Sequence, residues 1–174
     1  SNDIALLNND SVFVFAKDLN QSFEKDFILV PDWMNLRDAP HLRASIRQAN
    51  KQFLWEIKKP MLFWRGSVAC STGFREKLLA LALRYPELMD AKFVDKQVVK
   101  FVKPEDHLGF RYLISVDGIR CTWVRLVWHL HSNSLVFKHQ SDQVQWFYKG
   151  IIPYVHYVPI QNENSLLAVS YTHL

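Results

Sequence analysis

The chain has 174 residues, of which 49% are hydrophobic, 22% charged and 14% aromatic, close to the average composition of a soluble globular domain. Five glycines and seven prolines exclude a collagen-like or low-complexity chain, and no apolar run reaches the ~20 residues that a membrane span needs. A net charge of +4 and a pI near 9.1 permit a polyanionic partner without requiring one.

Two cysteines, Cys70 and Cys121, are too few for a disulfide framework. We expect both to be reduced thiols without a role. A metal site built on them would need further ligands that their spacing does not supply. No basic segment followed by an apolar stretch opens the chain, as it would in a secretory signal.

Short apolar runs alternate with helical patterns along the chain, which predicts an α/β fold with a mainly parallel sheet. The predicted strands are residues 12–16, 27–30, 61–64, 112–116 and 135–137, with an extended segment at 154–158. The predicted helices are residues 42–57, 74–84, 122–131 and 144–148.

The residues that carry chemistry are concentrated in two strand–loop–helix units, each with a glycine in the loop and an arginine in the first helical turn. They are Arg65, Gly66, Ser67 and Arg75 in the first unit, and Asp117, Gly118, Thr122 and Arg125 in the second. In open α/β sheets such loops lie at the carboxyl ends of strands, where ligands bind. Helix starts attract anions and arginine donates two parallel hydrogen bonds to phosphate, so the two units together predict a diphosphate pocket.

The same pattern has a purely structural interpretation, because solvated arginines near helix starts are common. No GxGxxG, GxxxxGK[ST], HExxH or paired CxxC motif is present, so the signatures of a dinucleotide site, a P-loop and a dedicated metal site are missing. His129 shares the helical face of Arg125; it is interpreted either as a ligand contact or, preferentially, as a solvent-facing or capping residue. His156 is interpreted as packing in the core or at a strand end.

Taken in order, the motifs resemble glycosyltransferase family 90, which includes protein O-glucosyltransferases, fungal capsule-associated xylosyltransferases and bacterial lipopolysaccharide-biosynthesis proteins. Phe63-Trp64-Arg65-Gly66-Ser67 is similar to the family's aromatic-Arg-Gly-Ser/Thr motif. The other matching segments are residues 12–17, 28–32, 88–91, 116–118, 122–125, 132–138, 145–148 and 153–159, with Arg75 and Pro86. The resemblance covers roughly residues 12–160.

The resemblance implies a GT-B-type glycosyltransferase with a Rossmann-like, parallel-sheet nucleotide-binding lobe. It divides the chain into a remnant of the N-terminal acceptor-side lobe (1–40), the nucleotide-sugar-binding lobe (41–160) and a truncated tail (161–174). The tail departs from the family's pattern, and its last eight or so residues are interpreted as non-native.

The implied reaction is inverting, metal-independent transfer of a sugar, from a UDP-sugar to a hydroxyl of a surface glycan such as lipopolysaccharide, with no cofactor. Ser67, Arg75 and Arg125 match the family's diphosphate ligands, although Thr122 stands where animal members carry a Ser. An Asp acts as general base in the family. Asp3 is the better match by position, and a base upstream of this chain is the alternative.

The expected partners are a nucleotide-sugar and a glycan or glycolipid acceptor, and no nucleic acid, because the aromatic residues are not interleaved with Lys and Arg. The absence of a signal sequence and a cysteine scaffold favours a bacterial-type cytoplasmic enzyme, working peripherally at an anionic inner membrane. Two alternatives stay open: a UDP-sugar-binding fragment without catalysis, and a basic nucleic-acid-binding domain.

Overall fold

The computed structural model describes residues 5–7, 11–24, 26–68, 73–94 and 101–173. Its strands are β1 (Ala5–Leu7), β2 (Ser11–Val14), β3 (Ala16–Asp18), β4 (Ile28–Leu29), β5 (Lys59–Ser67), β6 (Met89–Val94), β7 (Phe110–Ser115), β8 (Leu135–His139), β9 (Gln143–Gln145) and β10 (Val158–Ile160). Its α-helices are α1 (Trp33–Arg37), α2 (Ala39–Asn50), α3 (Gly73–Arg84), α4 (Pro104–His107), α5 (Arg125–His129) and α6 (Glu163–His173).

Five strands form a parallel sheet in the order β10-β8-β7-β5-β6. The chain runs from β5 outward to β6 and then returns past β5 to form β7, so the strand order reverses between β5 and β7. In sheets of this kind the ligand crevice lies outside the carboxyl ends of the strands at the reversal. Those ends are Ser67 and Ser115. The predicted α/β fold with a Rossmann-like parallel sheet is confirmed.

Both faces of this sheet are buried. Successive side chains of a strand point to opposite faces, and helices cover both of them. Leu62 and Trp64 of β5 pack on one face in a cluster with Leu78 of α3. Phe63 points to the other face and packs in a cluster with Ile46 of α2. Burial on both sides explains why β5 is a nearly continuous apolar run in the sequence.

The N-terminal segment forms two small sheets, β1-β2-β4 and the antiparallel pair β3-β9. Glu24 is 2% exposed and accepts hydrogen bonds from the backbone N–H of Asp18 (2.6 Å) and from Nη1 of Arg120 (2.9 Å). This ion pair ties the N-terminal segment to the loop that follows β7. The division into lobes at residue 40 stays a prediction.

Two predicted boundaries next to the candidate loops are wrong. The strand predicted to end at residue 64 continues to Ser67 in β5, because its parallel pairing with β6 extends to Ser67 and Val94. The helix predicted at 122–131 is reduced to the five residues of α5. Trp123 has a φ of 53°, whereas an α-helix needs a φ near −63°, so the helix cannot begin before it.

Other differences lie where long-range pairing overrides local pattern. The helix predicted at 144–148 is wrong, because β9 pairs with β3 instead. The helix predicted at 42–57 ends at Asn50, and the extended segment predicted at 154–158 contains a turn in which Tyr154 has a φ of 61°. His156 is exposed in that turn and accepts a hydrogen bond at Nδ1 from the Ile152 N–H (2.8 Å), so the packing predicted for it is wrong.

The strands predicted at 112–116 and 135–137 and the helix at 74–84 are confirmed as β7, β8 and α3. The segment interpreted as a truncated tail contains α6. Leu166 of this helix is fully buried in the core, and Glu163 forms an ion pair with Lys77 (2.9 Å). Among the described residues, no helix has both the length and the apolar character needed to cross a bilayer.

Candidate functional site

A cavity of about 340 Å³ opens at the strand-order reversal, at the carboxyl ends of β5 and β7. Its volume is in the range of small-molecule sites. The residues that line it are Ser67, Arg75, Gly118, Ile119, Arg120, Cys121, Thr122, Trp123 and Arg125. The structure therefore brings together five of the predicted diphosphate ligands, from two units about 50 residues apart in the sequence.

Arg75 fastens the two strand ends to each other. It is 6% exposed. Its Nη1 donates to the carbonyl of Ser67 (3.2 Å), its Nη2 to that of Val116 (3.1 Å) and its Nε to that of Asp117 (3.1 Å). Because these acceptors belong to the ends of both β5 and β7, Arg75 sets the shape of the cavity mouth. Its charge is also added to the positive potential there.

Arg125, at the start of α5, differs from Arg75 in its hydrogen bonding. Its Nη1 is shielded from solvent and has no hydrogen-bond partner among the described residues. Burial, followed by the charge of Arg75, lowers the pKa of Arg125 to about 10. A buried guanidinium nitrogen is costly unless an acceptor satisfies it, and an anion would do so. The sequence predicts that the start of this helix attracts phosphate. Since α5 has only five residues, the attraction for an anion comes here from the charge of Arg125 itself.

Two buried histidines lie near Arg125. His107 is 5% and His129 1% exposed, so the solvent-facing interpretation of His129 is wrong. Burial, and next the positive charge of Arg125, lowers the pKa of His107 to about 3 and that of His129 well below its usual range. Both rings are therefore neutral near pH 7, and the positive charge of the site belongs to the arginines.

A second cavity, of about 470 Å³, lies beside the first and shares Ser67, Thr122, Trp123 and Arg125 with it. Its remaining lining is mostly apolar or aromatic: Met34, Arg65, Gly66, Val94, Phe101, Val102, Pro104, His107, Val124 and Trp128. The two cavities thus offer a cationic part and an apolar part joined at the same residues.

Arg65 lines this second cavity with its charge already paired. Its Nη2 lies 2.7 Å from Oδ2 of Asp90, its Nη1 donates to the carbonyls of Trp64 and Asp90, and its guanidinium stacks 4.2 Å above the Phe63 ring. These contacts join β5 to β6. The predicted contact of Arg65 with a diphosphate stays a prediction.

Trp123 is a candidate that the sequence did not single out. It is 41% exposed, lines both cavities and has a left-handed backbone. A bulky residue in that conformation is unusual and is found at functional positions more often than elsewhere. Its spacing from Leu126 and Val127 also fits a helix face, so periodicity alone could not have identified it.

Gly66 lets the indole of Trp64 lie across β5, and a Cβ at this position would overlap the ring. The ring cannot move freely, because it is 1% exposed and lies beneath both Arg75 (5.5 Å) and Arg125 (5.9 Å). Gly66→Ala is expected to destabilise the chain by about 1–3 kcal/mol through overpacking, measured by urea unfolding. Gly73→Ala is the control, since nothing lies within 4 Å of its Cβ; equal midpoints would contradict the prediction.

Four further predicted residues, Asp3, Cys70, Cys121 and Asp117, complete the comparison with the sequence. Asp3 and Cys70 lie outside the described residues. Cys121 is 5% exposed, and burial raises the pKa of its thiol to about 11, so it is unreactive at neutral pH. Asp117 is buried and is not among the residues that line the first cavity, and its carboxylate accepts a hydrogen bond from Oγ of Ser141 (2.5 Å). Within the described part of the chain, no three His, Cys, Asp or Glu side chains are grouped as metal ligands.

The sequence of the chain matches a protein family and several known proteins. The family model "Glycosyl transferase family 90" matches residues 12–172. The chain is 34% identical over 131 residues to an O-glucosyltransferase rumi homolog of Aedes aegypti, covering 68% of this chain and 32% of that protein. It is 28% identical over 135 residues to protein O-glucosyltransferase 1 of Mus musculus, covering 71% and 34%. The chain spans about a third of the length of these relatives. It belongs to glycosyl transferase family 90.

Proposed function

We propose that this chain binds the nucleotide-sugar donor of a glycosyltransferase, with the diphosphate in the cationic cavity. The observation that carries the proposal is the buried Nη1 of Arg125, which has no partner among the described residues. The guanidinium of Arg75 lies close enough to lower the pKa of Arg125 further. Two neighbouring cations at a sheet reversal favour a ligand with two negative centres, and a diphosphate supplies them.

The second cavity would hold the nucleoside of the same donor. Its aromatic and apolar lining suits a flat base, and Trp123 lies where the two cavities meet. A UDP-sugar is the donor that the family resemblance implies. Base–aromatic stacking contributes about 1–3 kcal/mol per base, so Trp123 is expected to affect the nucleoside and not the phosphates.

In the proposed reaction an acceptor hydroxyl attacks the anomeric carbon of the donor. The new bond forms to the acceptor oxygen, the bond to the diphosphate oxygen breaks, and the hydroxyl proton passes to a carboxylate base. Arg125 and Arg75 would stabilise the charge that develops on the leaving diphosphate, so the proposal includes no metal. Asp3 remains the base predicted from the resemblance, and the inverted configuration is part of the same proposal.

The names of the relatives guide the choice of sugar and acceptor. The matched proteins of Aedes aegypti and Mus musculus are both named O-glucosyltransferases. Glucose transfer to a protein hydroxyl is accordingly the first reaction to test, and transfer to a surface glycan such as lipopolysaccharide is the second. Both use the same donor site, so donor binding can be tested before the acceptor is known.

The test is calorimetric titration of the 174-residue chain with UDP, uridine, pyrophosphate, GDP and a short oligonucleotide. We expect UDP to bind more tightly than any of the others. Trp123→Gly removes the ring and suits the left-handed backbone, so it should weaken uridine and UDP binding roughly 5- to 150-fold and leave pyrophosphate unchanged. Trp146→Ala, at a similarly exposed tryptophan outside both cavities (43% exposed), is the control.

Two results would contradict the proposal. A folded wild-type chain that binds no UDP would show that this site is not a donor site. Tighter, steeply salt-dependent binding of the oligonucleotide would favour the nucleic-acid alternative. If UDP binds, Asp3→Asn is expected to abolish sugar transfer while leaving UDP affinity unchanged; retained transfer would show that Asp3 is not the base.

A further inference from the structure

Arg120 is a third arginine of the first cavity, and the sequence did not single it out. It lies in the loop that follows β7 and lines the cavity together with Arg75 and Arg125. The three arginines differ in accessibility: Arg75 is buried, Arg125 is half-buried, and the side chain of Arg120 is 50% exposed. Arg120 therefore brings a solvent-accessible cation to a cavity whose other two arginines are less accessible.

A buried carboxylate holds Arg120 in place. Nη1 of Arg120 donates to Oε1 (2.9 Å) and Oε2 (3.1 Å) of Glu24, which is 2% exposed. Oε2 of Glu24 also accepts a hydrogen bond from the backbone N–H of Asp18 (2.6 Å), at the end of β3. Ion pairs between two exposed side chains contribute little, because both side chains must be ordered. Here one partner is buried and bonded to the main chain, so the guanidinium is positioned before a ligand binds.

The pair with Glu24 uses only one of the three nitrogens of the Arg120 guanidinium. Among the described residues, Nε and Nη2 of Arg120 form no hydrogen bond. These two nitrogens lie on one edge of the planar group and donate in parallel, which is the geometry that binds two oxygens of a phosphate. Arg120 can therefore bind a phosphate while its bond to Glu24 stays in place.

The Arg120–Glu24 pair also has a purely structural interpretation, because it joins the N-terminal segment to the loop after β7. The pair has no net charge, so it adds little to the positive potential of the cavity at long range. What it can add for a ligand is hydrogen-bond donors in a fixed direction at short range. A charge-neutral deletion of the pair therefore separates a direct contact with the ligand from a change in potential.

We propose that Arg120 is a further contact of the donor diphosphate and that Glu24 is its positioning residue. The inference rests on the proposed donor site. Arg75 uses three of its donor directions to hold strand ends, so Arg120 supplies donors that Arg75 does not. Because Glu24 belongs to the N-terminal segment, that segment takes part in donor binding without lining the first cavity.

The test compares Arg120→Met with the double variant Arg120→Met/Glu24→Gln in the 174-residue chain, using UDP, pyrophosphate and uridine as probes. Arg120→Met alone leaves a buried carboxylate without its cation, so its urea midpoint should fall. The double variant removes both charges, and the glutamine oxygen can still accept the Asp18 N–H, so most of the midpoint should return. We expect both variants to bind UDP and pyrophosphate roughly 10-fold more weakly than the wild type. Uridine affinity should stay the same, because Arg120 does not line the second cavity.

Lys77→Met/Glu163→Gln is the matched control, because it deletes an ion pair (2.9 Å) whose lysine is similarly exposed (58%) and whose residues line neither cavity. Wild-type UDP affinity in the Arg120→Met/Glu24→Gln variant would overturn the inference, since the pair would then act only by holding the N-terminal segment. An equal loss of uridine and UDP affinity would overturn it as well, because it would indicate general disruption of the fold. Absence of UDP binding in the wild type would instead count against the proposed function.

Discussion

Replacing Arg125 by Met is expected to raise the stability of the unliganded chain while removing much of its affinity for a diphosphate. Its buried Nη1 has no partner among the described residues, and the nearby Arg75 repels it. An unsatisfied buried polar group costs about 1–3 kcal/mol, and a flexible apolar side chain of similar length avoids that cost. For a chain of this size the melting temperature should rise by roughly 2–10 °C.

Thermal melts with and without UDP measure both effects in one experiment. In the wild type, UDP at 100 times its Kd should add about 2.7 kcal/mol of stability, whereas Arg125→Met should bind roughly 10- to 150-fold more weakly. Arg125→Lys should recover only part of the affinity, because lysine lacks the planar pair of donors. Arg84→Met, at an exposed residue of α3, is the control. A fall in the melting temperature of unliganded Arg125→Met would show that Arg125 is already satisfied.

The location of the site could be predicted from the sequence, because it depends on local features. A buried apolar run, a glycine and a helical pattern mark each strand–loop–helix unit. Parallel strands bring such loops to the same edge of a sheet. Ser67 and Gly118 were therefore expected to lie close together, and they line the same cavity.

The different hydrogen-bond partners of Arg75 and Arg125 could not be predicted from local features. The sequence pattern predicts both arginines near a helix start and in contact with phosphate. The acceptors of Arg75 include the carbonyls of Val116 and Asp117, about 40 residues away, and no local pattern contains that information. Arg75 donates to these carbonyls because α3 packs beside the end of β7 in the folded chain. For the same reason the local pattern at 144–148 predicts a helix where β9 forms, since the partner strand β3 lies more than 120 residues earlier.

Backbone conformation was the other feature that the sequence did not reveal. Trp123 occupies a helix-like position in the apolar pattern, yet its φ of 53° ends any helix there. Most side chains avoid this region because Cβ is crowded. The conformation places the ring at the junction of the two cavities, and it is the reason that α5 begins only at Arg125.

Arg75→Met is expected to have the opposite effect on stability to Arg125→Met, although the two substitutions are chemically identical. It removes three hydrogen bonds from a cation to carbonyls at the ends of β5 and β7. The carbonyls then lose a donor in a buried setting. We expect a loss of about 2–4 kcal/mol, near the upper end of ordinary point mutations, seen as a lower urea midpoint.

Arg75→Lys distinguishes the hydrogen bonds from the charge. A lysine keeps the positive charge, but its single ammonium cannot reach three carbonyls in the geometry of a planar guanidinium. It should therefore recover diphosphate affinity more than it recovers stability. Equal recovery of both would mean that the charge alone matters at this position. Opposite signs for the two methionine variants would follow directly from their surroundings. The donors of Arg75 hold two strand ends together, whereas Nη1 of Arg125 is buried and has no hydrogen-bond partner among the described residues.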